Sequence, residues 1–240
     1  MILGIVGSPR KNRLTDRLVS RALEGVRAAG EEAEKVYLVD YEVRFYREGE
    51  KCCPDDLSVL CEEASAIILG APVYYGDING LTKDFMDTVR IRDANGKYAL
   101  GIVIAGGTGK GLCSGIQSIY HFFYHRLLRG IDPTPVCRFN FERALDGLFR
   151  SGEKLARLSE ERRPFKDLWD RIEYYEGLPY MNYTFLDEIM LLAGFLIDIS
   201  KSPKMDEAKR EYEEARRLIG RGMRVEAVRH AVRAYELLYF

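Results

Sequence analysis

The first fifteen residues, MILGIVGSPRKNRLT, constrain the fold more than any other stretch of this chain. Ile2–Val6 is a short apolar run with the length of a strand that is buried on both faces. A polar segment follows, and apolar residues then recur at helical spacing from Leu14 to Val26. This order predicts a buried strand, a loop and an amphipathic helix, which is the first unit of an α/β sheet.

The loop between this strand and this helix has the composition of an anion site. The backbone N–H groups at a helix N-terminus lack partners within the helix, and the helix dipole favours negative charge there. The loop adds hydrogen-bonding and cationic side chains, namely Ser8, Arg10, Lys11, Asn12, Arg13 and Thr15. We therefore predict a phosphate pocket. An ordinary turn with surface cations is the alternative, because neither a dinucleotide fingerprint nor a Walker A motif is present.

Strand and helix patterns alternate through the first 140 residues, which predicts a doubly wound α/β sheet of five parallel strands in the order 2-1-3-4-5. The expected strands are Ile2–Val6, Lys35–Val39, Ala66–Leu69, Tyr98–Ala105 and Thr134–Phe139. The expected helices between them are Asn12–Ala29, Asp55–Glu63, Gly80–Arg92 and Leu112–Arg129.

No strand pattern appears after Phe141, so we expect an all-helical C-terminal extension. Phe185–Ile199 has the pattern of an apolar helix, and Asp206–Ile219 and Val225–Leu238 have that of a helical hairpin. The chain therefore divides into a sheet domain over residues 1–140 and an extension over residues 141–240.

In the predicted strand order, the loops after strands one, three and four meet at one end of the sheet. These loops are Gly7–Arg13, Gly70–Asn79 and Gly106–Gly111. The second offers the flat rings of Tyr74 and Tyr75, and the third exposes backbone N–H groups because it is rich in glycine. A cationic loop, an aromatic surface and a peptide edge suit a planar heteroaromatic ring with a phosphate tail, and flavin mononucleotide (FMN) fits that description.

Three motifs in this order and spacing carry a family resemblance: GSPRKNRLT, SAIILGAPVYYGDINGLTKDFMD and AGGTGKGL. Together they resemble the NAD(P)H-dependent FMN reductases, especially the branch that includes the archaeal iron–sulfur flavoproteins. The resemblance covers residues 1–140. It implies a flavodoxin-like fold, bound FMN, NAD(P)H as electron donor, and a dimer or tetramer with the flavin near a subunit interface.

The resemblance also implies roles for individual residues. Ser8, Arg10, Asn12 and Thr15 would hold the FMN phosphate, with Lys11 and Arg13 as further cations. The isoalloxazine ring would be lined by Pro72, Val73, Tyr74, Tyr75 and Gly76, and its pyrimidine edge approached by Gly106, Gly107 and Thr108. No acid–base residue is assigned, because the cofactor carries the chemistry of such enzymes.

The sequence departs from the family pattern at the cysteines. Cluster-binding relatives carry a compact run of four cysteines before the third strand, whereas this region holds Cys52, Cys53 and Cys61 alone. An iron–sulfur cluster takes four thiolates, so we predict no metal site. The family also often has Ser and Asn at the positions of Arg13 and Leu14.

Overall charge and hydropathy limit the partners. The net charge of -1 provides no field for nucleic acid or an acidic membrane surface. The apolar run Ile189–Ile197 is too short to span a bilayer, and the N-terminus lacks a signal-peptide pattern. We therefore expect a cytoplasmic protein whose partners are a small-molecule electron donor and acceptor.

Three functions are compatible with the sequence. The first is an FMN-dependent oxidoreductase that uses NAD(P)H to reduce flavin, a quinone or another small acceptor. The second is a flavodoxin-type electron carrier, although a helical extension is unusual for a simple shuttle. The third is a non-catalytic binding module that uses the helical extension to contact a partner.

Overall fold

The computed structural model describes residues 1–239. Its sheet contains the parallel strands β1 to β3, β5 and β6 and a short antiparallel strand, β4, that pairs with β3. Their bounds are β1 Ile2–Val6, β2 Ala33–Tyr37, β3 Ala66–Tyr74, β4 Asp77–Ile78, β5 Tyr98–Ala105 and β6 Arg129–Cys137. The sheet order is β2-β1-β3-β5-β6, which confirms the predicted five-stranded parallel arrangement.

Helices cover both faces of this sheet. The helices of this part of the chain are α1 Leu14–Ala28, α2 Asp55–Glu63, α3 Gly80–Thr88, α4 Leu112–His125 and α5 Phe141–Ser159. Successive strand residues point to opposite faces, so Ile2 and Val6 pack with α1 and α5, whereas Leu3 and Ile5 pack in the core that contains α2, α3 and α4.

The helical extension continues with α6 Leu168–Glu176, α7 Phe185–Ile199, α8 Met205–Gly220 and α9 Arg224–Tyr239. Leu192 of α7 and Tyr235 of α9 are buried in the same apolar cluster as Leu3 and Ile5. Helices α7, α8 and α9 also share a smaller cluster of their own. Helices α7 and α9 therefore pack on the α4 side of the sheet, whereas α5 packs on the α1 side. The domain boundary after residue 140 stays a prediction.

Several predicted boundaries are wrong. Strand β3 continues to Tyr74 because Pro72 pairs with Ile104 of β5, so Pro72, Val73 and Tyr74 lie in a strand rather than in a loop. Strand β6 begins at Arg129, five residues before the predicted start. It lies at the edge of the sheet, where Pro133 and Pro135 are tolerated.

The boundaries of the first helix and second strand also differ from prediction. Helix α1 begins at Leu14 rather than Asn12, because Asn12 has a φ of 56° that no helix continues. Strand β2 lies two residues earlier than predicted. Among residues 1–239, none of the helices is long and apolar enough to cross a bilayer.

Candidate functional site

A cavity of about 770 Å³ lies at the C-terminal ends of β1, β3 and β5. These three strands are neighbours in the sheet, so the segments that follow them meet at one edge. The cavity is lined by Ser8, Arg10, Asn12, Arg13, Leu14, Thr15, Arg17, Pro72, Val73, Tyr74, Ile104, Gly106 and Gly107. Its volume is within the range of pockets that bury a ligand of cofactor size.

The structure brings together ten of the predicted site residues in this lining and leaves four outside it. Lys11 instead forms an ion pair with Asp40, with Nζ 2.5 Å from the carboxylate oxygen. Tyr75 is fully exposed, and Gly76 lines a second cavity beside Gly111. The carbonyl of Thr108 accepts a 3.0 Å hydrogen bond from the Tyr235 hydroxyl.

Three arginines line the cavity, and Arg17 lies over the Phe141 ring, whereas Arg10 and Arg13 are uncompensated cations. Within residues 1–239, neither Arg10 nor Arg13 forms an ion pair or a side-chain hydrogen bond, in contrast to Lys11. Arg13 lies directly before the first turn of α1, where the backbone N–H groups also favour an anion. This end of the cavity is therefore suited to bind a phosphate.

Asp16, in the first turn of α1, fixes the position of the phosphate loop through hydrogen bonds. Its carboxylate accepts hydrogen bonds from the backbone N–H of Asn12 at 3.1 Å, the ammonium of Lys35 at 2.7 Å and the hydroxyl of Tyr37 at 3.0 Å. Burial opposes the ionisation of Asp16, but the hydrogen bonds from Lys35 and Tyr37 outweigh it and lower its pKa below 3.8. An ionised Asp16 thus fixes the left-handed conformation of Asn12.

The start of the loop is fixed by a buried polar cluster. The carbonyl of Gly7 accepts hydrogen bonds from the side-chain amide of Asn79 at 2.9 Å and from the hydroxyl of Thr82 at 3.1 Å. Its N–H donates to the carbonyl of Gly70 at 2.7 Å. A Cβ atom at Gly7 would lie 2.0 Å from the Thr82 hydroxyl oxygen, so only glycine fits at this position.

A tight turn displays the aromatic side of the site. Val73 and Tyr74 pair with Ile78 and Asp77 across a two-residue connection. Tyr75 and Gly76 both have positive φ values, 51° and 89°, which is the conformation of a type I′ turn. The turn places Tyr74 at the cavity wall and directs Tyr75 into solvent.

Three lining residues were not predicted from the sequence, namely Leu14, Arg17 and Ile104. Arg17 lies one helical turn after Arg13, so the i, i+4 spacing could have identified it. Ile104 is the last but one residue of β5, and a strand that ends at the site places its final side chains there. Leu14 required the structure, because the contact that places it in the lining is tertiary: its Cδ1 lies 3.9 Å from the ideal Cβ position of Gly106.

The glycine edge leaves space for a ring. A Cβ atom at Gly107 would meet no other atom within 4 Å, and one at Gly106 would meet Leu14 alone. Together with the uncompensated arginines and Tyr74, this open backbone fits a planar ring that carries a phosphate. The residues present therefore fit FMN.

The cysteines of the described chain lie in buried, apolar surroundings or contact backbone groups. All five are buried and free, and Cys52 bonds through sulfur to the backbone of the Arg47–Glu50 turn. Burial raises the pKa of Cys61 to about 12. In the described part of the chain, no three His, Cys, Asp or Glu side chains are grouped as metal ligands. The residues present do not fit an iron–sulfur cluster.

Curated relatives share the N-terminal part of the chain. An iron–sulfur flavoprotein of Archaeoglobus fulgidus is 31% identical over 122 residues, which is 45% of this chain and 56% of that protein. One of Methanocaldococcus jannaschii is 30% identical over 153 residues, which is 58% of this chain and 79% of that protein. The chain thus spans about half the length of its Archaeoglobus relatives, 56% and 49%.

Solved structures share the fold. An apo NADH:FMN oxidoreductase aligns with a TM-score of 0.54 at 18% identity, over 71% of this chain and 92% of that one. An oxidoreductase from Corynebacterium diphtheriae aligns with a TM-score of 0.57 at 14% identity, over 68% and 97%. A flavodoxin from the Archaea also aligns, which establishes the flavodoxin-like fold. The profile of the NADPH-dependent FMN reductases matches residues 1–129, and the chain belongs to that family.

Proposed function

We propose that this protein is an FMN-dependent oxidoreductase that passes electrons from NAD(P)H to a small acceptor. The observation that carries the proposal is the pair of uncompensated arginines, Arg10 and Arg13, in a cavity that also presents Tyr74 and an open glycine backbone. Family membership supports the same cofactor and donor. When bound, FMN supplies the hydride and electron-transfer chemistry.

The residues at the phosphate end of the cavity would bind the FMN phosphate and so orient the cofactor. Arg10 and Arg13 neutralise the phosphate charge, and the hydroxyls of Ser8 and Thr15, together with Asn12, supply neutral partners. Lys11 lies outside the lining and its charge is compensated by Asp40, so the phosphate charge falls to the arginines.

The residues at the ring end would bind the isoalloxazine ring, and they form the other half of the cavity. Pro72, Val73 and Tyr74 form one wall, and Gly106 and Gly107 offer peptide groups at the opposite edge. Tyr75 and Gly76 form the turn that carries Tyr74, and Thr108 continues the glycine edge. No side chain of the lining is needed as an acid or base, because FMN accepts the hydride itself.

We also propose that the electron donor and the electron acceptor are both small molecules. The protein would act in the cytoplasm as a homo-oligomer of two or four subunits. Exposed apolar side chains support the oligomer. Tyr75, Phe185 and Val225 are all largely exposed, so contact with a second copy would remove large apolar side chains from water.

The purified protein tests the proposal through its visible spectrum. We expect a flavin spectrum, or one that appears when FMN is added and persists through dialysis. Steady-state oxidation of NADH and NADPH with FMN or a quinone as acceptor then distinguishes an enzyme from an electron carrier. A protein that stays colourless after FMN is added and dialysed away contradicts the proposal. Bound FMN without NAD(P)H oxidation favours the electron carrier.

A further inference from the structure

We propose that Glu188, on helix α7 of the extension, is a positioning residue for the flavin-edge loop Gly106–Gly111. The inference rests on the proposed function, since it assigns a role toward bound FMN. Glu188 is 77 residues away from Gly111 in sequence and lies in a helix outside the family match, which ends at residue 129. The extension would thereby complete a site that the sheet domain begins.

Glu188 is a buried carboxylate whose two oxygens each accept a hydrogen bond from a backbone N–H group. Its side chain is buried, with the residue only 7% exposed. One carboxylate oxygen accepts the N–H of Gly111 at 2.9 Å, and the other accepts the N–H of Cys113 at 2.9 Å. These N–H groups lie at the start of α4, where the helix dipole favours a negative charge.

Two further contacts from the extension hold the same loop. The hydroxyl of Tyr235, on α9, donates a 3.0 Å hydrogen bond to the carbonyl of Thr108. Leu192, on α7, packs so closely on Gly109 that its Cδ2 would lie 2.5 Å from a Cβ atom there. The loop is therefore held at Thr108, Gly109 and Gly111 by side chains that come from the last 60 residues of the chain.

Glu188 also links the glycine edge to the tyrosine turn. Gly111 has a φ of 91°, and a Cβ atom there would lie 2.7 Å from the Cα of Gly76 and 2.7 Å from Val73. Fixing Gly111 therefore fixes the distance between the two segments that would flank the flavin ring. A shift of this loop would change both walls of the cavity at once.

The charge of Glu188 gives the inference an electrochemical consequence. Reduction adds negative charge to a flavin, and a fixed carboxylate at the end of the flavin-edge loop opposes that charge. Removing the carboxylate charge leaves the positive end of the α4 dipole uncompensated. The midpoint potential of bound FMN is thus expected to rise when the charge is removed.

The test compares variants of the full chain by FMN titration and by spectroelectrochemistry. In Glu188→Gln, one N–H donor loses its acceptor, and we expect the FMN dissociation constant to rise about three- to tenfold and the midpoint potential to increase. Glu188→Asp, which keeps the charge, should restore the potential. Tyr235→Phe removes only the hydroxyl contact with Thr108 and should raise the FMN dissociation constant about two- to threefold.

The matched control is Glu211→Gln, which removes another carboxylate of the extension, one whose partner is His230 at 2.6 Å. It should leave FMN affinity and potential unchanged. If wild-type protein binds no FMN, the proposed function fails. If wild-type protein binds FMN, but Glu188→Gln lowers only the melting temperature and leaves affinity and potential at wild-type values, the positioning role is overturned. Tyr235→Phe provides the same test if Glu188→Gln does not fold.

Discussion

The side-chain amide of Asn79 donates a 2.9 Å hydrogen bond to the carbonyl of Gly7, 72 residues earlier in the chain. This bond joins the start of the phosphate loop to the segment that follows the tyrosine turn. Asn79 is buried, and its own N–H donates to the carbonyl of Pro72. One residue therefore fixes the relative position of both ends of the cavity.

We expect Asn79→Ala to remove one of the two side-chain donors to the buried Gly7 carbonyl, at a cost of roughly 0.5–1.5 kcal/mol in the free energy of unfolding. FMN affinity should fall as well, because the loop loses its anchor. Urea unfolding and FMN titration measure the two effects. Asn182→Ala, at an exposed position, is the control, and equal effects of the two variants would contradict the anchoring role.

The cations of the loop should discriminate FMN from riboflavin, which lacks the phosphate. A charge-assisted hydrogen bond contributes about 1.5–3 kcal/mol to binding. Arg10→Gln and Arg13→Gln should therefore each weaken FMN binding roughly ten- to a hundredfold. Riboflavin affinity should stay nearly constant, and the FMN effect should shrink at high salt. Arg150→Gln changes an exposed arginine outside the cavity lining and serves as the control. Equal losses for both ligands would place the phosphate elsewhere.

Asp16 should make stability depend on pH in the acid range. Its pKa is lowered below 3.8 in the folded protein, so the stabilisation is present above that value and is lost as the pH falls through the lower, folded pKa. Asp16→Asn should therefore destabilise the protein at pH 7 by roughly 1–3 kcal/mol and show little difference from wild type near the acid end. Urea unfolding from pH 7 down to pH 3 measures this.

The control for Asp16 is Asp146→Asn, which changes an exposed carboxylate on α5. Its stability should follow the wild-type curve at every pH. A constant difference between Asp16→Asn and wild type across the whole range would show that the hydrogen bonds of Asp16 do not depend on its charge.

The thiols should be unreactive in the folded protein. All five cysteines are buried. Burial raises the pKa of Cys113 to about 12, with a further contribution from the charge of Glu188, and burial alone is the main cause for Cys61. At pH 8 we expect slow reaction of the native protein with a disulfide reagent, because the sulfurs are buried, followed by reaction of all five in urea. Fast reaction of the native protein would indicate an accessible redox thiol.

Local patterns made the centre of the fold predictable. The run Ile2–Val6 and the apolar face of α1 specify a strand, a loop and a helix without any distant contact. The strand order follows from the α/β alternation, and ten of the predicted site residues line one cavity. The chemistry of the phosphate loop could thus be recognised because its residues are neighbours in sequence.

The parts that were missed depend on tertiary contacts. Strand β3 extends through Pro72 because β5 lies beside it, and Lys11 turns away from the cavity because Asp40 is within reach. The contact between Glu188 and Gly111 joins residues 77 positions apart, and no hydrophobic periodicity in the sequence predicts it. Such pairs are set by how the helices pack, which the sequence pattern does not encode.

The late position of α9 also sets an order of events during synthesis. Tyr235 lies 127 residues after Thr108, so this hydrogen bond can form only once α9 has left the ribosome. The sheet can assemble before α9 is synthesised, but the flavin-edge loop reaches its final geometry only when α7 and α9 have emerged. We expect nascent chains stalled before α7 to retain FMN more weakly than chains stalled after α9, so that tight cofactor binding follows synthesis of these two helices.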